Sequence, residues 1–148
     1  MNTEEKLLQT PLYQAHKNLN ARMVGFGGWD MPVQYEGILA EYEQTRNKAA
    51  LFDISHMGEF IIEGDYAESG LDNIVTMSLA DLLVGSSRYG LMLNEAGGVI
   101  DDLIVFRLEE EKWFIVVNAA TKEKDVANFK KHLSSNTKFT DVSEAMGK

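Results

Sequence analysis

Two adjacent carboxylates, Asp101 and Asp102, follow a Gly97-Gly98 turn at the entrance of a strongly β-prone run. A strand of Ile, Leu, Val and Phe gains no stability from two charges at its start, so the pair is a candidate for chemistry. Because successive side chains of a strand point to opposite faces, the two carboxylates should not share a proton as a dyad. Asp102 shares its face with Ile104 and Phe106, which would place an apolar wall beside it. Such a carboxylate stays protonated longer than in water, or binds a polar ligand atom.

Each aspartate also has a structural explanation, in which it caps the hairpin turn or accepts a hydrogen bond from a neighbouring amide. The turn needs only one such side chain, so the second carboxylate is not explained by the turn. The residues by themselves leave both explanations open.

A second polar group, Asp53-Ile54-Ser55-His56, has the residue types of a Ser/His/Asp hydrolase. Triad side chains must converge, whereas Ser55 and His56 diverge if the backbone is extended, and the chain has no Gly-x-Ser-x-Gly motif. We interpret the group as a polar corner whose side chains bond to nearby backbone. The run Gly25-Phe26-Gly27-Gly28 lacks the spacing and the Lys of a phosphate-binding loop, so it is interpreted as loop geometry.

Composition excludes several classes of function. The chain of 148 residues carries a formal charge of −9, no Cys and three scattered His. Nucleic-acid binding needs a basic patch and a metal site needs clustered ligands, so we expect neither. The polar first ten residues do not resemble a signal peptide, and no apolar run reaches membrane-spanning length, so we expect no membrane association and a cytoplasmic location.

Hydrophobic periodicity predicts the elements that position these groups. Helices are expected over residues 10–19, 36–50, 67–75 and 121–133, the first of them capped by Thr10 before Pro11. Strands are expected over residues 23–26, 60–62, 88–93, 99–108, 113–117 and 137–142, while residues 29–34, which include Pro32, are expected to be irregular. Tight turns between strands and helices between groups of strands predict an α+β fold, an antiparallel sheet with helices packed on one face.

Several blocks, taken in order, carry a family resemblance. They are Thr10-Pro11-Leu12-Tyr13, Ala21 to Trp29, Leu51 to Phe60, Asn94 to Phe106, and Asn118 to Asp125. Together they resemble the amino-terminal part of aminomethyltransferase, the folate-dependent T-protein of the glycine cleavage system. That family is much longer, so the chain is expected to be a truncated piece of a larger multidomain fold. Residues 1–50 would form the amino-terminal part of the first domain and residues 51–148 an α+β folate-pocket domain.

The resemblance implies a reaction and its components. An aminomethyl group on the lipoyl arm of the H-protein would pass to tetrahydrofolate with release of ammonia, and no metal would be needed. The catalytic residue implied is Asp102, which would contact the pterin-side nitrogens, while Asp101 keeps a structural role. The cofactor-binding residues implied are Met57, Tyr89, Asp102, Ile104, Phe106 and Asn118. The location implied is the bacterial cytoplasm, or the mitochondrial matrix in a eukaryote.

Two alternatives within the same superfamily remain: a folate-dependent demethylase or amine-oxidase domain, and a folate-binding accessory protein without transferase activity. The sequence also departs from the family at two positions, Asn20 where Gly is usual and Gly25 where Asp is common. We expect little or no transfer activity from this fragment alone.

Overall fold

The computed structural model describes residues 6–145. This part of the chain divides into two compact units, residues 6–56 and residues 57–145. The elements of the first unit are α1 (Tyr13–Asn18), β1 (Arg22–Phe26), β2 (Trp29–Gln34) and α2 (Ile38–Asn47). The elements of the second unit are β3 (Gly58–Glu63), α3 (Leu71–Ile74), β4 (Ser87–Leu93), β5 (Val99–Glu109), β6 (Lys112–Val117), α4 (Lys122–His132) and β7 (Lys138–Asp141).

The first unit contains a β-hairpin that sequence analysis did not predict. The expectation that residues 29–34 are irregular is wrong, because β1 and β2 pair antiparallel around a two-residue Gly27-Gly28 turn. Both glycines have positive φ, 56° and 87°, which is what a tight hairpin turn of this kind needs. Pro32 is tolerated because the sheet has two strands only, so its missing N–H can face outward.

Three helices, α1, α2 and α3, are clearly shorter than periodicity predicted, and causes are visible for the first and the third. The first begins at Tyr13 with Leu12 at its N-cap and no side-chain cap, and the Thr10 hydroxyl, predicted to cap it, donates to Asp53. The third begins at Leu71 because Gly70 has φ 78°, a left-handed conformation that ends the preceding turn. Asn20 also has positive φ, 59°, a left-handed conformation that Asn tolerates.

The second unit is built on a five-stranded sheet with the order β4-β5-β6-β3-β7. Every neighbouring pair is antiparallel, which confirms the predicted pairing of the strands at residues 88–93, 99–108 and 113–117. In this register Asp102 pairs with Leu91 of β4, and Ile104 pairs with Val116 of β6. The fold is therefore α+β, as predicted.

Alternation along the strands separates the two faces of this sheet. One face is covered by α3, α4 and the segment between α3 and β4, and it forms the hydrophobic core. Phe129 of α4 is fully buried there and packs on the rings of Phe60 and Phe139. The core residues are Phe60, Ile62, Leu71, Ile74, Val75, Leu79, Leu82, Met92, Leu103, Val105, Trp113, Ile115, Val117 and Phe129. The opposite face is partly exposed and carries Ile61, Ile104, Phe106, Phe114 and Val116.

Candidate functional site

The turn between β4 and β5 is held by an asparagine and not by an aspartate. The Asn94 Oδ1 atom accepts hydrogen bonds from the backbone N–H groups of Ala96 at 3.0 Å and Gly98 at 2.9 Å. Gly97 supplies the positive φ of 79° that the turn requires. Since Asn94 does the capping, the turn-capping explanation for Asp101 and Asp102 does not hold.

Asp102 is exposed and is fixed from two sides by neutral donors. The Tyr89 hydroxyl on the adjacent strand donates to Asp102 Oδ2 at 3.2 Å. The Asn118 side-chain amide, directly after β6, donates to Asp102 Oδ1 at 3.0 Å and to its backbone carbonyl at 3.1 Å. Partial desolvation and the negative charge of Asp102 raise the pKa of the Tyr89 hydroxyl, so Tyr89 remains a proton donor at neutral pH. Three residues implied by the family resemblance thus meet in one hydrogen-bonded group.

Asp101 lies on the other face, as strand alternation predicted, and is buried. Its two oxygens accept hydrogen bonds from one residue: Oδ2 from the backbone N–H of Asn118 at 3.0 Å, and Oδ1 from the Asn118 side-chain amide at 2.9 Å. Asn118 can reach both carboxylates because it leaves the sheet at the end of β6, beside the point where the two aspartates diverge. Asp101 therefore fixes Asn118, and Asn118 in turn fixes Asp102. Strand alternation alone does not reveal this connection.

The hydrogen-bonding capacity that remains decides what this group can bind. The Asn118 Nδ2 atom has two protons and three acceptors nearby, so its donor side is fully used. Two facing carboxylates also fix the orientation of this amide, because Oδ1 in that place would be repelled. The hydrogen bonds within the group leave acceptors unused on the exposed Asp102 and the half-buried Asn118: the second lone pairs of the Asp102 carboxylate and the Asn118 Oδ1 atom. The group is suited to a ligand that presents N–H donors.

An apolar surface borders this acceptor set. Ile104 and Phe106 follow Asp102 on the same face of β5, and the Phe106 ring packs on the Phe114 ring with centroids 5.8 Å apart. Tyr89 is 62% exposed beside them and pairs with Ile104 across the strands. Met57 is half-buried and directly precedes β3, at the end of the sheet where Asn118 follows β6, because Gly58 pairs with Val117. Its position is near the acceptor end of the surface.

The Asp53 region forms a polar cluster of a different kind from the one expected. Asp53 Oδ2 accepts from the Thr10 hydroxyl at 2.8 Å and lies 2.7 Å from His16 Nε2, and Oδ1 accepts from the Ser55 backbone N–H at 2.9 Å. The Tyr35 hydroxyl lies 2.7 Å from the other ring nitrogen of His16. The imidazole at Asp53 is thus His16, 37 residues away in sequence, for which no local motif gives a signal.

This cluster does not form the arrangement of a hydrolase. Burial on its own would raise the pKa of Asp53, but hydrogen bonds from His16, Ser55 and Thr10 outweigh it and hold the pKa at about 2. His56, the histidine of the sequence group, instead packs edge-on against Phe26 with ring centroids 5.9 Å apart. The interpretation of Ser55 and His56 as a polar corner, whose side chains bond to nearby backbone, stays a prediction.

Within residues 6–145, no group of three or more His, Cys, Asp or Glu side chains is placed to hold a metal ion. No helix in the same part of the chain is long and apolar enough to cross a membrane.

Comparison with known proteins gives a consistent result. Residues 12–148 match the family model described as the GCVT N-terminal domain. The aminomethyltransferase of Shouchella clausii is 43% identical over 140 residues, which is 95% of this chain and 38% of that protein. The aminomethyltransferase of a Nostoc species is 46% identical over 150 aligned residues, 97% of this chain and 40% of that protein.

A solved structure shares the fold. The crystal structure of glycine cleavage system aminomethyltransferase T from Bartonella henselae superposes with a TM-score of 0.88 at 37% identity, covering 93% of this chain and 39% of that one. The chain therefore spans about two fifths of the length of the relatives it matches.

Proposed function

Because this chain belongs to the aminomethyltransferase family, the T-protein of the glycine cleavage system, we propose that it supplies the tetrahydrofolate-contacting part of such an enzyme. The observation that carries the proposal is the Asp102 carboxylate, which Tyr89 and Asn118 hold with lone pairs left unused. Tetrahydrofolate presents N–H donors at the edge of a ring system whose faces can pack on apolar and aromatic side chains. Those features match an acceptor set beside an apolar surface.

The proposed reaction transfers one carbon. The substrate is an aminomethyl group bound through sulfur to the lipoyl arm of the H-protein, and the acceptor is tetrahydrofolate. The two folate nitrogens each form a bond to the carbon and each lose a proton, while the carbon loses its bonds to nitrogen and sulfur. One of the two protons leaves with ammonia and the other with the reduced lipoyl thiol, so the products are methylene-tetrahydrofolate, ammonia and the dithiol arm.

Each site residue has a distinct role in this proposal. Asp102 orients one folate nitrogen and accepts its proton, while Asn118 offers Oδ1 as an acceptor to the pterin edge. Tyr89 contributes a ring wall as well as its hydrogen bond to Asp102. Ile104 and Phe106 form the apolar wall, and Met57 lies beneath the flat ring. Catalysis then depends mainly on orientation and on one proton acceptor.

The partner and the compartment follow from the same family. We propose that the H-protein delivers its lipoyl arm to this face of the sheet, and that the reaction takes place in the bacterial cytoplasm or, in a eukaryote, in the mitochondrial matrix. A folate-binding accessory protein would use the same acceptor set and differ by lacking transfer activity. Methylene-tetrahydrofolate formation by the complete gene product separates the two.

Tetrahydrofolate binding to the 148-residue chain tests the role of Asp102 directly. Asp102→Asn keeps the shape but removes the charge, and losing one charge-assisted hydrogen bond of about 1.5–3 kcal/mol weakens affinity about ten- to a hundredfold. The matched control is Asp72→Asn, the same chemical change on α3. A titration followed by NMR, which detects weak binding, measures both. Equal affinity of the wild type and Asp102→Asn would contradict the proposal.

A further inference from the structure

Asp125 is a carboxyl group inside the core for which the proposed function has no use so far. It lies on α4, its exposed fraction is 0%, and both of its side-chain oxygens are buried. Neither oxygen receives a hydrogen bond from a donor in the described part of the chain. The nearest hydroxyl, that of Thr121, gives its proton to the Asn118 carbonyl oxygen at 3.2 Å. An ionised Asp125 would therefore be a buried charge without a donor, which is costly.

The strand β5, which contacts α4, carries another buried carboxyl, Asp101, which is near enough to Asp125 to interact with it. Two neighbouring carboxyl groups can hydrogen-bond only if one of them keeps its proton. Burial, the charge of Asp101 and the hydrogen bond to Asp101 raise the pKa of Asp125 to about 8, while the nearby Thr121 hydroxyl and then Lys124 oppose the rise. The helix α4 also packs on α3, whose charged residue is Asp72, and on β3 and β7, whose charged residues are Glu59, Glu63, Lys138 and Asp141.

We propose that Asp125 is a positioning residue: it donates a hydrogen bond from the core to Asp101, and Asp101 in turn fixes Asn118 against Asp102. The hydrogen bonds from Asp101 of β5 to Asn118 after β6, and from Asn118 to Asp102 on the open face, are the part of this path that the structure shows, and Asp125 would add the step from α4. A proton on Asp125 leaves Asp101 ionised, which is the form that accepts both hydrogen bonds from Asn118. Ionising Asp125 removes the donor and sets two negative charges against each other, so Asn118 loses its fixed position.

The consequence for tetrahydrofolate rests on the proposed function, but the consequence for Asn118 does not. The two can therefore be measured separately, and their failures are distinguishable. Asp125→Asn keeps a neutral donor to Asp101 at every pH. Asp125→Ala removes the donor. Thermal unfolding of each variant establishes that the protein being measured is folded.

The first measurement needs no ligand. In the labelled 148-residue chain, the side-chain carbonyl ¹³C signals of Asp125 and Asn118 should move together with a midpoint near pH 8. In Asp125→Asn the Asn118 signal should stay constant through that range. The proposal is overturned if Asp125 titrates like an ordinary aspartate. It is also overturned if Asp125 titrates near pH 8 while the Asn118 signal does not respond.

The second measurement is the affinity for tetrahydrofolate at pH 7. Asp125→Asn should bind like the wild type, and folded Asp125→Ala should bind about tenfold more weakly, as expected for losing a hydrogen bond that holds a ligand-contacting group. Equal binding by both variants and the wild type would overturn the positioning role.

If Asp125→Ala does not fold, the pH profile of binding by Asp125→Asn decides. The affinity of the wild type should decline above pH 8, and the same decline in Asp125→Asn contradicts the proposal. If the wild type binds no tetrahydrofolate, the proposed function fails and the ligand-free titration still decides the positioning role.

Discussion

At the scale of single residues, the carboxylates differ in the groups that surround them. This difference distinguishes the candidate catalytic carboxylate from the structural ones. Asp53 is surrounded by donors and Asp125 lies near another acid, whereas, of these three, Asp102 combines fixed donors with lone pairs that the group does not use. Strand alternation was enough to predict that Asp101 and Asp102 lie on opposite faces. It could not predict that Asn118 bonds to both, because that contact depends on how the chain leaves β6 in three dimensions.

The Asp53 cluster should stabilise the first unit in a pH-dependent way. The pKa of Asp53 is held at about 2, below its usual value, so the contribution is complete above the unfolded pKa of 3.8 and is lost as pH falls through 2. Asp53→Asn should lower the free energy of unfolding at pH 7 by about 1–3 kcal/mol, because His16 and Thr10 lose a charged acceptor. Denaturant unfolding at pH 7 and at pH 2.5 measures the effect, which should shrink at the lower pH. A control at Glu36→Gln, an exposed acid, should show no such change.

Asp125 should change the pH dependence of stability in the opposite direction to Asp53. Its pKa is raised to about 8 in the folded state against 3.8 when unfolded, so the folded protein holds a proton that the unfolded chain releases. Stability should therefore fall as pH rises from about 4 to about 8 and level off above that. In Asp125→Asn this part of the slope should disappear, which makes the variant more stable than the wild type at pH 9. Thermal unfolding across the range checks it, and parallel profiles for the two proteins would be the contrary result.

At the scale of elements, hydrophobic patterns predicted most of the helices and strands but not always the residue at which each one begins. The three strands around Asp102 and the helix at residues 122–132 were predictable because their apolar periodicity is strong and their turns are short. The β1–β2 hairpin was not predicted because Pro32 disfavours a strand, although the Gly27-Gly28 turn favours a hairpin. The helix at Leu71 was predicted too long because the conformation of Gly70 cannot be read from a hydrophobic pattern.

The helix α4 joins the core to the candidate site, so its packing should be energetically important. Phe129 is fully buried and contacts two other aromatic rings from the sheet. Phe129→Ala should lower the free energy of unfolding by about 3–5 kcal/mol, through lost burial and the cavity left behind. Lys130→Ala, an exposed neighbour on the same helix, is the control and should change it by less than about 0.5 kcal/mol. Denaturant midpoints with unchanged slopes would measure both, and similar losses for the two variants would contradict this account of the core.

At the scale of the whole molecule, the acceptor group lies on an open sheet face and not in a closed pocket. Asp102 and Tyr89 are exposed, and the apolar residues beside them are only partly covered. The relatives are about two and a half times as long as the matched region. The remaining walls of a folate or lipoyl site would be formed by residues that this chain does not contain, so its sequence gives no information about them.

The 148-residue chain alone should accordingly show little or no aminomethyl transfer. A ligand on an open face keeps its water on one side, which weakens both binding and orientation. Methylene-tetrahydrofolate formation, assayed with the aminomethyl-loaded H-protein, measures this. A rate near that of a full-length relative would refute the expectation.

The most direct test of the central claim is turnover of the complete gene product that contains this chain, with Asp102→Asn compared to Asp72→Asn. Loss of a proton acceptor in the transition state should lower kcat by about a hundredfold or more in Asp102→Asn, with stability unchanged because the side chain is exposed. Asp72→Asn should turn over like the wild type. If Asp102→Asn, measured per folded molecule, matches the wild type as well, Asp102 is not the catalytic residue and the account is wrong.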